Sequence, residues 1–186
     1  MEVKHVSFSY GEKRILDGVS LSLTKGRRVA VMGESGRGKT TLLKLMLGLI
    51  EPDSGEIARD NGERPSVVFQ EDRLLPWFTA RRNVEIVAAP GCASEEILRD
   101  MELADAMDKL PKELSGGMQR RAAIARALAF GGSPLLLDEP FKGLDPEMRE
   151  RIAERILSYA GEGPILLITH DEREAELLKC DEIIRL

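Results

Sequence analysis

Eight residues, GESGRGKT at Gly33–Thr40, restrict what this chain can become more than any other stretch. They fit G-x-x-x-x-G-K-[ST], with the apolar run RVAVM (28–32) before them and the apolar helical pattern TTLLKLMLGL at their end. A strand, a glycine-rich turn and a helix in that order wrap a triphosphate in backbone N–H groups at a helix N-terminus. Gly33, Gly36 and Gly38 let the loop close, and Glu34, Ser35 and Arg37 complete it. Lys39 is placed to reach the β- and γ-phosphates and Thr40 to hold Mg²⁺ through its hydroxyl. Thr41 continues the helix close to the α-phosphate.

Other strand ends offer partners for this loop. In LLLDEP three leucines bury a strand and Asp138 emerges at its carboxyl end, where ligands bind in parallel sheets. A carboxylate there can hold Mg²⁺ through water, and the adjacent Glu139 can polarise an attacking water. His170 ends the apolar run ILLIT, so its imidazole can donate to a γ-phosphate oxygen or to the water; a packed structural histidine is the competing reading. Gln70 ends SVVFQ, and its amide can ligate Mg²⁺ or its water. Phosphoryl transfer needs positioning and charge neutralisation more than covalent chemistry, and this set offers both.

Around these residues the periodicity is that of an α/β protein. Val6, Phe8 and Tyr10 share one face at period two and predict an opening strand. SLSLT (20–24), RVAVM (28–32), GEIA (55–58), SVVFQ (66–70), PLLLD (134–138), PILLITH (164–170) and the final EIIRL predict further strands. Helices are expected from about Lys39, over Pro146–Tyr159 and through Glu172–Leu178. Apolar strands alternating with helices imply a mainly parallel sheet covered on both faces. From about Glu71 to Phe130 the pattern is helical, broken at Pro90-Gly91 and around Pro111. Residues 71–130 therefore read as a helical subdomain inserted between core parts 1–70 and 131–186. A chain of 186 residues holds one sizeable core.

The net charge of −5 gives no basic field toward nucleic acid or anionic lipid, and Arg81–Arg82 and Arg120–Arg121 read as solvated faces. The longest apolar run, LMLGLI (45–50), falls far short of the ~20 residues of a membrane span. Cys92 and Cys180 lie far apart without metal-ligand spacing and read as free, reduced thiols, and the N-terminus has no signal-peptide core.

LSGGMQRRAAIARAL (114–128) raises a separate question. A helix opening on two glycines exposes bare N–H groups and is a second anion cradle, while one nucleotide needs only the first. Such a cradle, on a helical arm apart from the phosphate loop, is best used between molecules, and two-fold symmetry then makes two composite sites. GESGRGKT, LSGGMQ, LLLDEP, GLD and THD occur in that order, and with them the chain resembles the nucleotide-binding subunit of ATP-binding cassette (ABC) transporters over essentially its whole length. The resemblance implies an α/β P-loop NTPase (RecA-like) fold with a mainly parallel core, an antiparallel β portion and the inserted α-helical subdomain. It implies ATP and Mg²⁺ as cofactors and an active ATPase. It also implies that two copies pack head to tail, with Ser115, Gly116 and Gly117 of each closing on the γ-phosphate held at Lys39 of the other. On the same basis Tyr10 stacks on adenine, with core packing beside Phe8 as its rival role. Gln70 links the site to the helical arm, Asp145 couples the two sites, His170 is the γ-phosphate switch and Glu139 the catalytic base.

In VFQEDRLLPWFTARRNV (68–84), Leu74, Leu75, Trp77 and Phe78 follow Gln70 in a proline-containing turn. They either pack the arm or form a docking groove for a short helix of an integral membrane permease, and both can hold. The wording resembles importers for nitrate, sulfonate, taurine and related small anions. That implies ATP-powered import through a permease, an extracytoplasmic substrate-binding protein, and a cytoplasmic location peripheral to the inner face of the membrane. The stop at EIIRL predicts a compact version without a C-terminal regulatory domain, and KGLD carries Lys142 and Gly143 where Ser and Ala are common. The alternatives are a soluble cassette ATPase, for example in iron–sulfur assembly, and a small-molecule kinase using the same loop.

Overall fold

Two sheets share the chain. In the computed structural model, which describes residues 1–34, 36–60 and 62–186, β3 (Arg28–Met32), β5 (Ser66–Val68), β6 (Leu135–Asp138), β7 (Ile165–Thr169) and β8 (Glu182–Arg185) form a parallel sheet in the order β5-β6-β7-β3-β8. β1 (Glu2–Tyr10), β2 (Lys13–Ser22) and β4 (Ser54–Ala58) form an antiparallel sheet in the order β2-β1-β4.

The apolar runs of the central strands are unbroken because both faces of the parallel sheet are covered. Ala30, Leu135, Leu137, Ile165 and Leu167 enter one core, shared with α2 (Ala80–Glu85), α3 (Ser94–Asp100), α4 (Gly116–Phe130) and α5 (Pro146–Ala160). Their neighbours Val29, Val31, Leu136, Leu166 and Ile168 enter the other, with α1 (Lys39–Met46) and the antiparallel sheet. Alternation at period two thus feeds two dry cores at once.

The strands depart from the sequence expectation most at β2, β1 and β5. β2 begins at Lys13 rather than near Ser20, running through a bulged stretch opposite Val6–Phe8 in which Gly18 stands at φ 61°. β1 carries register shifts on both sides of Phe8, and Tyr10 leaves the core, 51 % exposed while Val6 and Phe8 are buried. β5 ends at Val68, where its pairing with β6 ends, so Gln70 lies just past the strand.

Between β5 and β6 the chain forms α2, α3, two short 3₁₀ turns and α4. Ser115 caps α4, its hydroxyl accepting from the Met118 amide at 3.3 Å, and Gly131 ends the helix in the left-handed conformation. Asn83, fully buried on α2, shapes the turn before its helix: its Oδ1 accepts from the Leu75 amide at 2.7 Å, and its amide donates to the carbonyls of Leu75, Phe78 and Thr79. That turn leaves Trp77 68 % exposed. At the outer margin a stripe on α5 reaches the end of α3 and the residues after it. Arg151 pairs with Glu102 at 2.6 Å, Arg155 with Asp100 at 3.7 Å, and the Tyr159 hydroxyl donates to Asp100 at 2.7 Å. Among the described residues no helix is long and apolar enough to cross a membrane.

Candidate nucleotide site

Four neighbouring strands deliver the predicted groups to one edge. β5 leads to Gln70, β6 ends in Asp138 and Glu139, β7 leads to His170, and β3 opens into the phosphate loop. Together with Tyr10, Lys39 and Thr40, these residues line a cleft of about 800 Å³ at the carboxyl ends of the strands. A hollow of similar size, about 820 Å³, lies elsewhere on the molecule near Lys25, Arg64 and Pro164, and none of these groups faces it.

The loop is built for backbone proximity. Gly38, at φ 96°, caps α1, and a Cβ there would stand 2.8 Å from the side chains of Ile15 and Leu16. Lys39 Nζ donates to the carbonyls of Gly33 at 2.7 Å and Glu34 at 2.9 Å, arching across the loop. Gly33, Glu34, Gly36 and Thr41 line the cleft; Arg37 does not, and pairs with Glu34 at 3.6 Å. Ser35, the remaining loop residue of the motif, lies outside the described residues.

Thr40 Oγ1 donates to Asp138 Oδ2 at 3.3 Å. Asp138 is only 2 % exposed, and burial pushes its carboxyl above the usual range while the Thr40 hydroxyl opposes the shift. Hydroxyl, carboxylate and amide oxygens from Thr40, Asp138 and Gln70 are hard donors, the set that suits Mg²⁺. Glu139 stands at φ 51°, a conformation few non-glycine residues adopt. Its amide donates to the Ile168 carbonyl at 2.9 Å, and its Oε1 meets His170 Nδ1 at 2.9 Å. That hydrogen bond and the carboxylate's charge raise the His170 imidazole above its usual 6.5. Tyr10 is half exposed and its ring meets that of Phe8 in a perpendicular contact at 4.8 Å, so packing beside Phe8 and exposure to the cleft coexist.

Ser115, Gly116, Gly117 and Asp145 do not line the cleft of their own chain. The first-turn amides of α4 have no intrahelical partner, and the side chain of Ser115 satisfies only that of Met118. Asp145 caps α5, accepting from the Met148 amide at 2.9 Å.

The arginines of α4 depart from the sequence expectation. Arg120 and Arg121, read as solvated, are 2 % and 9 % exposed. Arg121 donates to the carbonyls of Met101 and Glu102, while Arg120 reaches the segments around Gln70 and Glu139. The available signal was the apolar character of AAIARALAF on every side, which marks a helix surrounded by protein. A second cluster also escaped the sequence reading. Glu174, 3 % exposed on α6 (Glu172–Leu177), accepts from the Thr169 hydroxyl at 2.5 Å and pairs with Arg149 at 3.5 Å. Arg149 also pairs with Asp171 at 3.2 Å and donates to the Leu144 carbonyl at 3.0 Å, tying the strand end before His170 to the loop before Asp145.

A phosphate loop between β3 and α1, with an Asp-Glu pair ending the buried strand β6 of the same sheet, defines a P-loop nucleoside triphosphatase. The chain belongs to the ABC transporter family, which matches residues 16–142. It is 42 % identical to the aliphatic sulfonates import ATP-binding protein SsuB of Granulibacter bethesdensis, an alignment covering 100 % of this chain and 79 % of that protein. It is 40 % identical to SsuB 1 of Pseudomonas aeruginosa, covering 94 % and 77 %. Among solved structures it resembles the dimeric bacterial ABC transporter cassette MJ0796, with a TM-score of 0.86 at 31 % identity over 100 % of this chain and 93 % of that one. A dimeric post-hydrolysis state of the same cassette, bound to ADP and Pi, matches with a TM-score of 0.86 at 32 % identity and the same coverage. The chain is therefore an ATP-binding, ATP-hydrolysing cassette of a transporter.

Proposed function

We propose that this cassette works as a head-to-tail pair and drives import of a small anion, an aliphatic sulfonate or a related acid, through a membrane permease. The observation that carries the pairing is the distance in function between two cradles on one chain. Gly33, Glu34, Gly36, Gly38, Lys39 and Thr40 face the cleft, whereas the Ser115-capped start of α4 lies outside it. A second copy of this chain brings its Ser115–Gly117 to the γ-phosphate held at Lys39, and symmetry repeats the contact. Residues 71–130 then act as an arm that swings on the core parts 1–70 and 131–186.

Within each composite site Tyr10 stacks on adenine and the amides of Gly33–Thr41, Ser35 included, cradle the phosphates. Arg37 contributes through its backbone. Thr40, Gln70 and Asp138 hold Mg²⁺, which when bound neutralises charge on the phosphates. Glu139 takes the proton of the attacking water, and His170 holds Glu139 in place and faces the γ-phosphate. Asp145 and its loop communicate across the pair. Closure on ATP and reopening after hydrolysis shift the permease between its two states, which requires ATP to favour the closed pair. Gln70 and the turn at Leu74–Phe78 relay that motion. The chain sits on the cytoplasmic, inner face of the membrane beside its permease, and a substrate-binding protein outside delivers the anion. The sulfonate-import names of the relatives support this reading over a soluble cassette.

Glu139→Gln tests it. Removing a general base slows phosphate release by about 10²-fold or more, while ATP binding persists and a stable dimer accumulates. Phosphate release and size-exclusion chromatography at saturating ATP read both effects, and a strictly monomeric Glu139→Gln protein overturns the pairing.

A further inference from the structure

Helix α4 carries the Ser115–Gly117 turn at its tip and Arg120 one turn deeper. The Arg120 guanidinium is buried, and its donors reach two separate segments. Nη1 donates to the Phe69 carbonyl at 2.6 Å and to Asp72 Oδ1 at 3.0 Å. Nη2 donates to the carbonyls of Asp138 at 2.5 Å and Glu139 at 2.7 Å, and Nε to that of Pro140 at 3.1 Å. One planar fork thus binds the residue before Gln70 and three consecutive carbonyls framing Glu139. The tip of the same helix abuts the loop before Asp145, where a Cβ on Gly117 would stand 3.3 Å from Leu144 Cδ2. A guanidinium holds its donors in fixed relative directions, so a shift of α4 is passed to every carbonyl it binds. Glu139 has little freedom to absorb such a shift, because its backbone already occupies a rarely populated conformation.

We propose that Arg120 is a positioning residue that couples the two reaction centres of the dimer. It transmits the seating of Ser115–Gly117 on the partner's ATP to Gln70 and Glu139 of its own chain. This rests on the head-to-tail reading above and adds a direction to it. The tip of α4 serves one nucleotide and the carboxylate behind Arg120 serves the other, so occupancy of one site sets the geometry of the second. ATP hydrolysis is then cooperative in ATP.

The test compares the wild type with Arg120→Lys, Arg120→Gln and Asp72→Asn. Phosphate release is measured against ATP concentration, and ATP-dependent dimerisation is measured for each substitution in the Glu139→Gln background. Lysine is a point charge and cannot hold both segments at once; glutamine is neutral and shorter. Both Arg120 variants are expected to dimerise with ATP, because neither cradle is altered. Their kcat falls about tenfold or more while half-saturating ATP moves less than about twofold, and the Hill slope drops from above one toward one. Asp72→Asn removes only the charged acceptor and gives an intermediate slope, which carries the test if the Arg120 variants are insoluble. A merely structural role lowers kcat through the active fraction and leaves the slope at the wild-type value. That result, or a wild-type slope of one, overturns the coupling. Failure of the Glu139→Gln protein itself to dimerise overturns the head-to-tail reading, a separate measurement from the slope.

Discussion

The hydrogen bond between His170 Nδ1 and Glu139 Oε1 joins the groups assigned to water activation and phosphate sensing before any nucleotide is considered. Because the folded imidazole titrates above its usual 6.5, first through Glu139 and then with help from Glu174 and Asp171, the pair favours the folded state at low pH. That contribution is fully present below the unfolded value and is lost as pH rises through the raised folded value. It is small, since the His170 side chain is 74 % exposed. In Glu139→Gln the charge is gone, so the His170 midpoint falls toward 6.5; imidazole NMR titration of both proteins measures it, and equal midpoints exclude the pairing in solution. The partners of both residues were legible as motif letters, because each motif ends a buried strand. The strain at Glu139 and the bond itself were not, since they arise from where β6 and β7 lie side by side.

At the scale of elements, the stability of the sheet resides in residues such as Leu167 on β7, fully buried in the core that the sheet shares with the helices. Leu167→Ala is expected to cost about 2–5 kcal/mol through lost transfer energy and a cavity that neighbours only partly fill. Arg151→Ala, which breaks a solvent-exposed pair with Glu102, leaves the urea midpoint nearly unmoved; equal losses in the two proteins contradict this division. Local rules predicted these elements well where demands are local. Glycines at fixed spacing are needed for a phosphate loop, and apolar runs are needed for strands covered on both sides. They failed where tertiary context decided. Tyr10 continues the period-two pattern but falls beyond a bulge, and β5 stops where its pairing with β6 stops rather than where its apolar letters do. Arg120 and Arg121 look like surface charge until α4 is seen to be enclosed.

For the whole molecule, the turn held by Asn83 matters because it presents Trp77 outward instead of packing it. Phe78 lies beside it at 6.4 Å between rings, and Leu74 joins the core, so the four apolar residues divide between packing and display. Trp77→Asp is expected to leave folding and basal ATP hydrolysis intact while abolishing co-purification with an integral membrane protein from detergent-solubilised membranes. Retained co-purification moves the docking face elsewhere. The stripe on α5 at Arg151, Arg155 and Tyr159 has its own bearing on the molecule, since it adds ion pairs and one phenol at the solvent margin of the apolar core that α5 shares with α3. Water can take over each of these partners in turn, so the hold at this margin weakens as dissolved salt rises, while the apolar core that α3 and α5 share beneath it is insensitive to salt.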